Sequence, residues 1–240
     1  MKKLEEILQT YRQVEFYRDK GQQTSTIANK IDGTKTNNTI SFETHFDRKG
    51  YFKFNFSKFD QQDALLLKGL ILKEINEDKV KSVIDWVGKE PVTQEIDIYF
   101  ALATHTGISQ KLSHTIPFFL YGNADAHFYG EGSREESDEE VNGIECMAIR
   151  TSQKIESKTP TKEELEKAKA QFQDLPSIAD NIKKIEDEIA NSKTENTTFD
   201  TKYYFQRNDN LLIKMKYQSI SEKFIINSVT EYQPAIKADN

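Results

Sequence analysis

Apolar positions along the chain follow two periods. Leu4, Ile7, Leu8, Tyr11 and Val14, continued by Phe16 or Tyr17, fall at helical spacing. They predict an amphipathic helix over Leu4–Arg18, stopped near Gly21. From Gln22 the period is two. Thr24–Ile31 reads as a strand, and "DGTKTNN" from Asp32 as a turn-rich link. The stretch "ISFETHFDRKGYFKFNF" follows, Ile40 to Phe56. Ile40, Phe42, Thr44 and Phe46 alternate with Ser41, Glu43 and His45. After "DRKG", Phe52, Phe54 and Phe56 alternate with Tyr51, Lys53 and Asn55. The pattern is an antiparallel hairpin with one Phe-rich face.

Ala64–Glu74 and Lys79–Trp86 read as a second strand pair around "NED", with a short helix as the competing reading. Pro91–Thr104 predicts a helix with Val92, Ile96, Phe100 and Leu102 or Ala103 on one side, ended by Gly107. Ile108–Gly122 predicts a short second helix running into a loop, and Glu131–Glu140 a solvated acidic loop. Val141–Ser152 returns to strand character. Thr159–Ala190 predicts two charged helices divided at Pro176, with Thr161 and Glu164 as a capping box. Three strands close the chain: one around Tyr203 and Phe205, one around Leu211–Tyr217, and Ile220–Tyr232. The expected class is α+β, a long antiparallel sheet with helices gathered on one face.

Composition narrows the function. The 240 residues suffice for a sizeable core, and the 15 Phe exclude a disordered chain although only 36% of residues are hydrophobic. A net charge of -6 with lysines interspersed among acids disfavours a nucleic-acid partner. Cys146 is the single cysteine, so neither an internal disulfide nor a cysteine-based metal site is available. The longest apolar run, Ala64–Leu72, is too short for a membrane span and contains Lys68, so no integral membrane protein is expected. The N-terminus has a basic start, but Glu5 and Glu6 break the apolar stretch a signal peptide needs. The expectation is either a cytoplasmic protein or a chain that begins after a removed signal.

Candidate chemistry is sparse. His45, His105, His114 and His127 form no metal-binding spacing, and no nucleotide loop or nucleophile elbow occurs. His105 and His114, with Ser109 and Ser113 nearby, fit helix linkers better than a nucleophilic pair. "SREESDEE" lacks the ligand spacing of a calcium loop. Cys146, in an apolar strand with no basic neighbour, reads as a buried, inert thiol. No catalytic residue, metal or cofactor is expected, and the remaining hypothesis is binding. The Phe-rich hairpin face is either core or the wall of an apolar cavity, and Trp86 either core or a rim aromatic.

The order of motifs adds to this. "YRDKG" (Tyr17–Gly21) carries Y-x-D-x-G, and Thr44, Phe46, Arg48, Phe52 and Phe54 carry T-x-F-x-R-x-x-x-F-x-F. With "VIDWVGK", "ALATHTGIS", "TIPFFLYG", "VNGIECMAIR" and "VTEYQP" they resemble the LolA/LolB-like bacterial lipoprotein-carrier superfamily across most of residues 1–158 and 199–235. The resemblance implies one domain over residues 1–240, and the helical segment at 159–195 departs from the family pattern as an insertion. Its fold would be a curved antiparallel half-barrel with helices covering the concave face. It also implies a non-enzymatic periplasmic or envelope carrier whose partner is lipid or lipoprotein acyl chains. Phe42, Phe46, Phe52, Phe54, Phe56 and Trp86 would line the cavity. The alternative is an envelope interaction module with a packed core and a protein partner.

Overall fold

The computed structural model describes residues 2–49, 51–59, 67–76, 79–86, 90–97, 116, 119–120, 132–157 and 195–236. One helix, α1 (Lys2–Gln13), precedes the strands. Leu4, Ile7, Leu8 and Tyr11 form its buried stripe. Each such side chain removed from water contributes about 1.5–3 kcal/mol, more than intrinsic propensity gives a helix this short. Glu5 in the first turn and Arg12 in the last complement the helix dipole.

The strands are β1 (Phe16–Asn29), β2 (Lys35–Asp47), β3 (Tyr51–Phe59), β4 (Leu67–Asn76), β5 (Lys79–Trp86) and β6 (Val92–Asp97). Then come β7 (Arg134–Glu135), β8 (Glu139–Val141), β9 (Ile144–Ser157), β10 (Glu195–Gln206), β11 (Leu212–Ile220) and β12 (Phe224–Ala235). They make one sheet in the order β6-β5-β4-β3-β2-β1-β12-β11-β10-β9-β7, with β8 also on β9. Neighbours on this path pair antiparallel, and no pairing among the described strands closes the sheet. The first and last long strands lie side by side, with Gly21 opposite Tyr232, so the sheet has an N-terminal and a C-terminal wing. The main apolar cluster unites the α1 stripe with Phe42, Phe46, Phe52 and Phe54 of one wing and Met147, Tyr203, Phe205 and Met215 of the other. The sheet face carrying this cluster is called the inner face below.

The Phe-rich hairpin is as expected, with Phe46 opposite Phe52 and Thr44 opposite Phe54. The second strand pair and the three closing strands are also present. Other elements differ. The first helix ends at Gln13, and β1 starts at Phe16. Tyr17, Asp19, Gly21 and Gln23 alternate at period two, and both flanking strands supply hydrogen-bonding edges. Gly21 is therefore mid-strand. A Cβ there would lie 2.2 Å from Phe42 Cζ, so the glycine admits the ring lying across it.

The helix expected over Pro91–Thr104 begins instead as β6, where Val92 and Ile96 pair with Ile84 and Val80. The exposed edge of β5 outweighs a spacing compatible with either structure. Residues 98–104 lie outside the described set. Ile116, Phe119 and Leu120 are helical and buried, in line with the second helix. The acidic segment holds β7 and β8, both paired with β9. Asn142 and Gly143, both at positive φ, form the two-residue turn from β8 to β9, a turn that favours Asn-Gly. The helical pair expected over 159–190 lies outside the described residues.

Candidate functional site

The two motif segments converge on one part of the inner face. Asp19 of β1 stands opposite Thr44 of β2, Tyr17 opposite Phe46, and Gly21 opposite Phe42. The Tyr17 hydroxyl donates to Asp19 Oδ2 at 2.8 Å. Arg48, in the turn after β2, reaches the end of α1. Its guanidinium donates to the carbonyls of Tyr11 (3.0 Å), Val14 (3.1 Å) and Leu120 (2.9 Å). It also sits 4.9 Å from the centroid of the Phe46 ring. C-terminal helix carbonyls have no partner within the helix, and a cation is well suited to meet them. The motif thus fastens α1 and Leu120 to the Phe hairpin.

Among the residues expected to line a cavity, Phe42, Phe46, Phe52 and Phe54 are all buried on this face. Phe42 stacks on Phe54 at 5.7 Å and meets Tyr232 edge-on at 5.6 Å. Phe119 extends the aromatic set to Tyr11 at 5.0 Å and Phe205 at 5.8 Å. Phe56 and Trp86 lie on β3 and β5, but their side chains are outside the described residues. The structure therefore brings four of the named aromatics together and adds Tyr11, Tyr17, Phe119, Tyr203, Phe205 and Tyr232.

Asp19 is a charged group inside this aromatic surround. Burial raises its pKa to about 6 against the opposing hydrogen bonds of Thr44 and Tyr17. Asp19 Oδ1 is buried without a hydrogen-bond partner. Burial also pushes the phenols of Tyr17 and Tyr232 well above their ordinary value, with the Asp19 carboxylate adding to the effect. Sequence reasoning gave Tyr17 and Asp19 no role beyond the motif. The period-two pattern Tyr17-x-Asp19-x-Gly21-x-Gln23 was the signal, masked by the neighbouring helical spacing.

The outer face of β9 and β10 is built differently. Lys202 pairs with Glu136 at 2.5 Å and with Glu139, and Arg150 bridges Glu136 (2.7 Å) and Asp200 (2.9 Å). Lys202 and Arg150 hold the Glu136 carboxyl down to about 2 against partial burial. The network fixes the acidic segment to the sheet over a small apolar cluster of Val141, Cys146, Ala148, Tyr204 and Ile213. Cys146 is buried, and burial raises its thiol pKa, as an inert thiol requires. His45 is half-buried, with its pKa lowered by burial and by Arg18. His105, His114 and His127 are outside the described residues. Among the described residues, no group of His, Cys, Asp or Glu is placed to hold a metal, and no helix is long and apolar enough to cross a membrane.

No family model and no curated protein matches the chain. Among solved structures it is similar to the Mycobacterium tuberculosis lipoprotein LppX, at 8% identity and a TM-score of 0.36, over 100% of this chain and 96% of that one. It is similar to a putative outer membrane lipoprotein-sorting protein domain from Vibrio parahaemolyticus, at 8% identity and TM-score 0.35, over 100% and 93%. A LolA superfamily protein from Nitrosomonas europaea is similar at 6% identity and TM-score 0.31, over 98% and 94%. The functional reading below rests on the residues of this chain.

Proposed function

We propose that this protein is a non-enzymatic carrier of lipid or lipoprotein acyl chains in the periplasm or cell envelope. The chains would lie between the inner sheet face and its covering helices, against Phe42, Phe46, Phe52, Phe54, Phe56 and Trp86. The observation that carries this reading is the inner face itself. Aromatic and aliphatic side chains from both wings form one apolar surface on a sheet left open by its described pairings. Each methylene of an acyl chain moved onto such a surface contributes about 0.8 kcal/mol. The resemblance of the Tyr17–Gly21 and Thr44–Phe54 segments to lipoprotein carriers supports the same reading.

A second reading has its own observation. Phe42 already contacts both Phe54 and Tyr232, as in a packed core. The protein would then be an interaction module of the envelope, with a protein partner on its surface. Native mass spectrometry of the purified protein, followed by lipid extraction, separates the two. Co-purifying acyl lipid, with uptake of a fluorescent fatty-acyl probe by delipidated protein, is the expected result. A ligand-free protein that takes up no probe sinks the carrier and leaves the module.

A further inference from the structure

The inner face changes chemistry along its length. One row across the sheet, set by strand register, is Ile40, Gln23, Thr230, Met215, Tyr203 and Ile149. On the α1 side of it stand Phe42, Gly21 and Tyr232. On the other side the next row reads Asn38, Ser25, Ser228, Tyr217, Thr201 and Thr151. Every position of that row, on strands β2, β1, β12, β11, β10 and β9 in turn, bears a hydroxyl or an amide. Asn38, Ser228 and Thr201 are buried at 7%, 6% and 1% exposure.

A row serving only as core would bury apolar area, and in the adjacent row the buried polar pair is satisfied internally, Gln23 Nε2 donating to Thr230 Oγ1 at 3.3 Å. The Asn38 row buries polar groups, which is unfavourable unless hydrogen bonds replace those lost to water. Part of that demand is met across the strands. Ser25 Oγ and Ser228 Oγ are 2.8 Å apart, and the Tyr203 hydroxyl bonds the side chains of Thr201 and Thr151. The rest is not. Asn38 Oδ1 is buried with no partner. In the serine pair one hydroxyl donates to the other, so one proton and several lone pairs remain for a third group. The row carries no carboxylate, ammonium or guanidinium, and burial raises the pKa of Tyr217, keeping its phenol neutral.

The geometry points to this row as a subsite for the uncharged, hydroxyl- or amide-bearing end of an amphipathic ligand. The ligand's acyl chain would lie towards Phe42, Tyr203 and Tyr232. The subsite rests on the carrier reading above and adds to it a preference for a neutral, hydrogen-bonding headgroup. Charge complementarity decides the class: a belt of donors and acceptors without a formal charge suits a glyceryl or amide group better than a phosphate or a quaternary amine.

The test is displacement of a fluorescent fatty-acyl probe from the delipidated full chain. The competitors are monoolein and methyl oleate, which share an acyl chain and differ in free hydroxyls. Monoolein is expected to displace at roughly tenfold lower concentration, the effect of one or two net hydrogen bonds. Asn38→Leu should erase most of that difference and leave methyl oleate unchanged. Ser228→Ala, the gentler variant, should narrow it by a few-fold while unfolding in urea stays a single cooperative transition. Equal displacement by the two competitors in the wild type, or an undiminished preference in both variants, overturns the subsite and spares the carrier. Failure of the probe and both competitors to bind overturns the carrier and the subsite together.

Discussion

Strand β10 presents Tyr203 and Phe205 to the inner face, where they join the α1 stripe and the Phe hairpin. On its outer face Lys202 and Tyr204 meet the acidic segment. Both faces are buried, but by different forces. Inside, neutral side chains do the work, apolar near α1 and partly polar further along, and among the described residues Asp19 is the one buried carboxylate. Outside, five apolar residues are fenced by ion pairs whose charges are partly hydrated. Removing an inner side chain should therefore cost a large, salt-independent amount. Outer-face changes should cost less and depend on ionic strength.

Phe52→Ala should show the largest effect. The ring is fully buried, and truncation of such a residue typically costs about 3–5 kcal/mol, including the void left behind. Urea unfolding at low and high salt should give the same loss. A loss under about 1 kcal/mol would mean the ring already borders open space, which favours a cavity wall over a packed core.

Asp19→Asn removes the inner face's buried carboxylate. With the carboxyl raised from 3.8 to about 6, the folded state holds its proton more tightly than the unfolded chain does. The resulting stability is complete below about pH 3.8 and is lost as pH rises through about 6. At neutral pH the variant should thus be more stable than wild type, by up to about 3 kcal/mol. Urea midpoints measured from pH 4 to 7.5 should fall for wild type and stay flatter for the variant. Parallel curves would show that Asp19 does not titrate in this window.

The inner face was largely legible in the sequence, and the outer face was not. Period two around Phe42–Phe46 and Phe52–Phe54 is a local signal, so the hairpin and its buried side were readable. Tyr17 and Asp19 were missed because Leu4, Ile7, Leu8 and Tyr11 set a helical rhythm that Phe16 and Tyr17 also fit. Only the edges of β2 and β12, distant in sequence, end the helix at Gln13. The acidic segment was read as solvated because charge runs usually are. Its partners Arg150 and Lys202 arrive from strands that no local pattern links to it. Asn142-Gly143 was the one local clue to β8, and it marks the hairpin that carries the segment back onto β9.

Arg48→Met probes the junction between helix and inner face. The substitution keeps much of the stem that packs by Phe46 but removes the donors to Tyr11, Val14 and Leu120. Part-buried carbonyls lose their partners, and a loss of about 2 kcal/mol is expected. Amide hydrogen exchange should localise it, with protection falling in α1 more than in β9 to β11. Uniform loss across the sheet would mean that Arg48 supports the whole core and not this junction.

Lys202→Met should have the smallest effect and the strongest salt dependence. Lys202 sits between Glu136 and Glu139 and 5.4 Å from the Tyr204 ring centroid. Methionine can keep the contact with the ring and loses both carboxylate partners. Arg150 still holds Glu136, so the charge left behind is only partly uncompensated. The expected loss is about 1 kcal/mol at low salt, shrinking towards zero near 1 M salt as the carboxylates are screened from one another. The same lysine sets an acid limit. Glu136, held down to about 2 from 4.5, contributes stability that is present above pH 4.5 and lost as pH falls through about 2. In Lys202→Met that loss should be smaller and complete at a higher pH, because the largest influence lowering the Glu136 pKa is gone. A variant whose deficit is the same at every salt concentration would place Lys202 with the packed residues of the inner face, and the contrast between the two sides of β10 would fail.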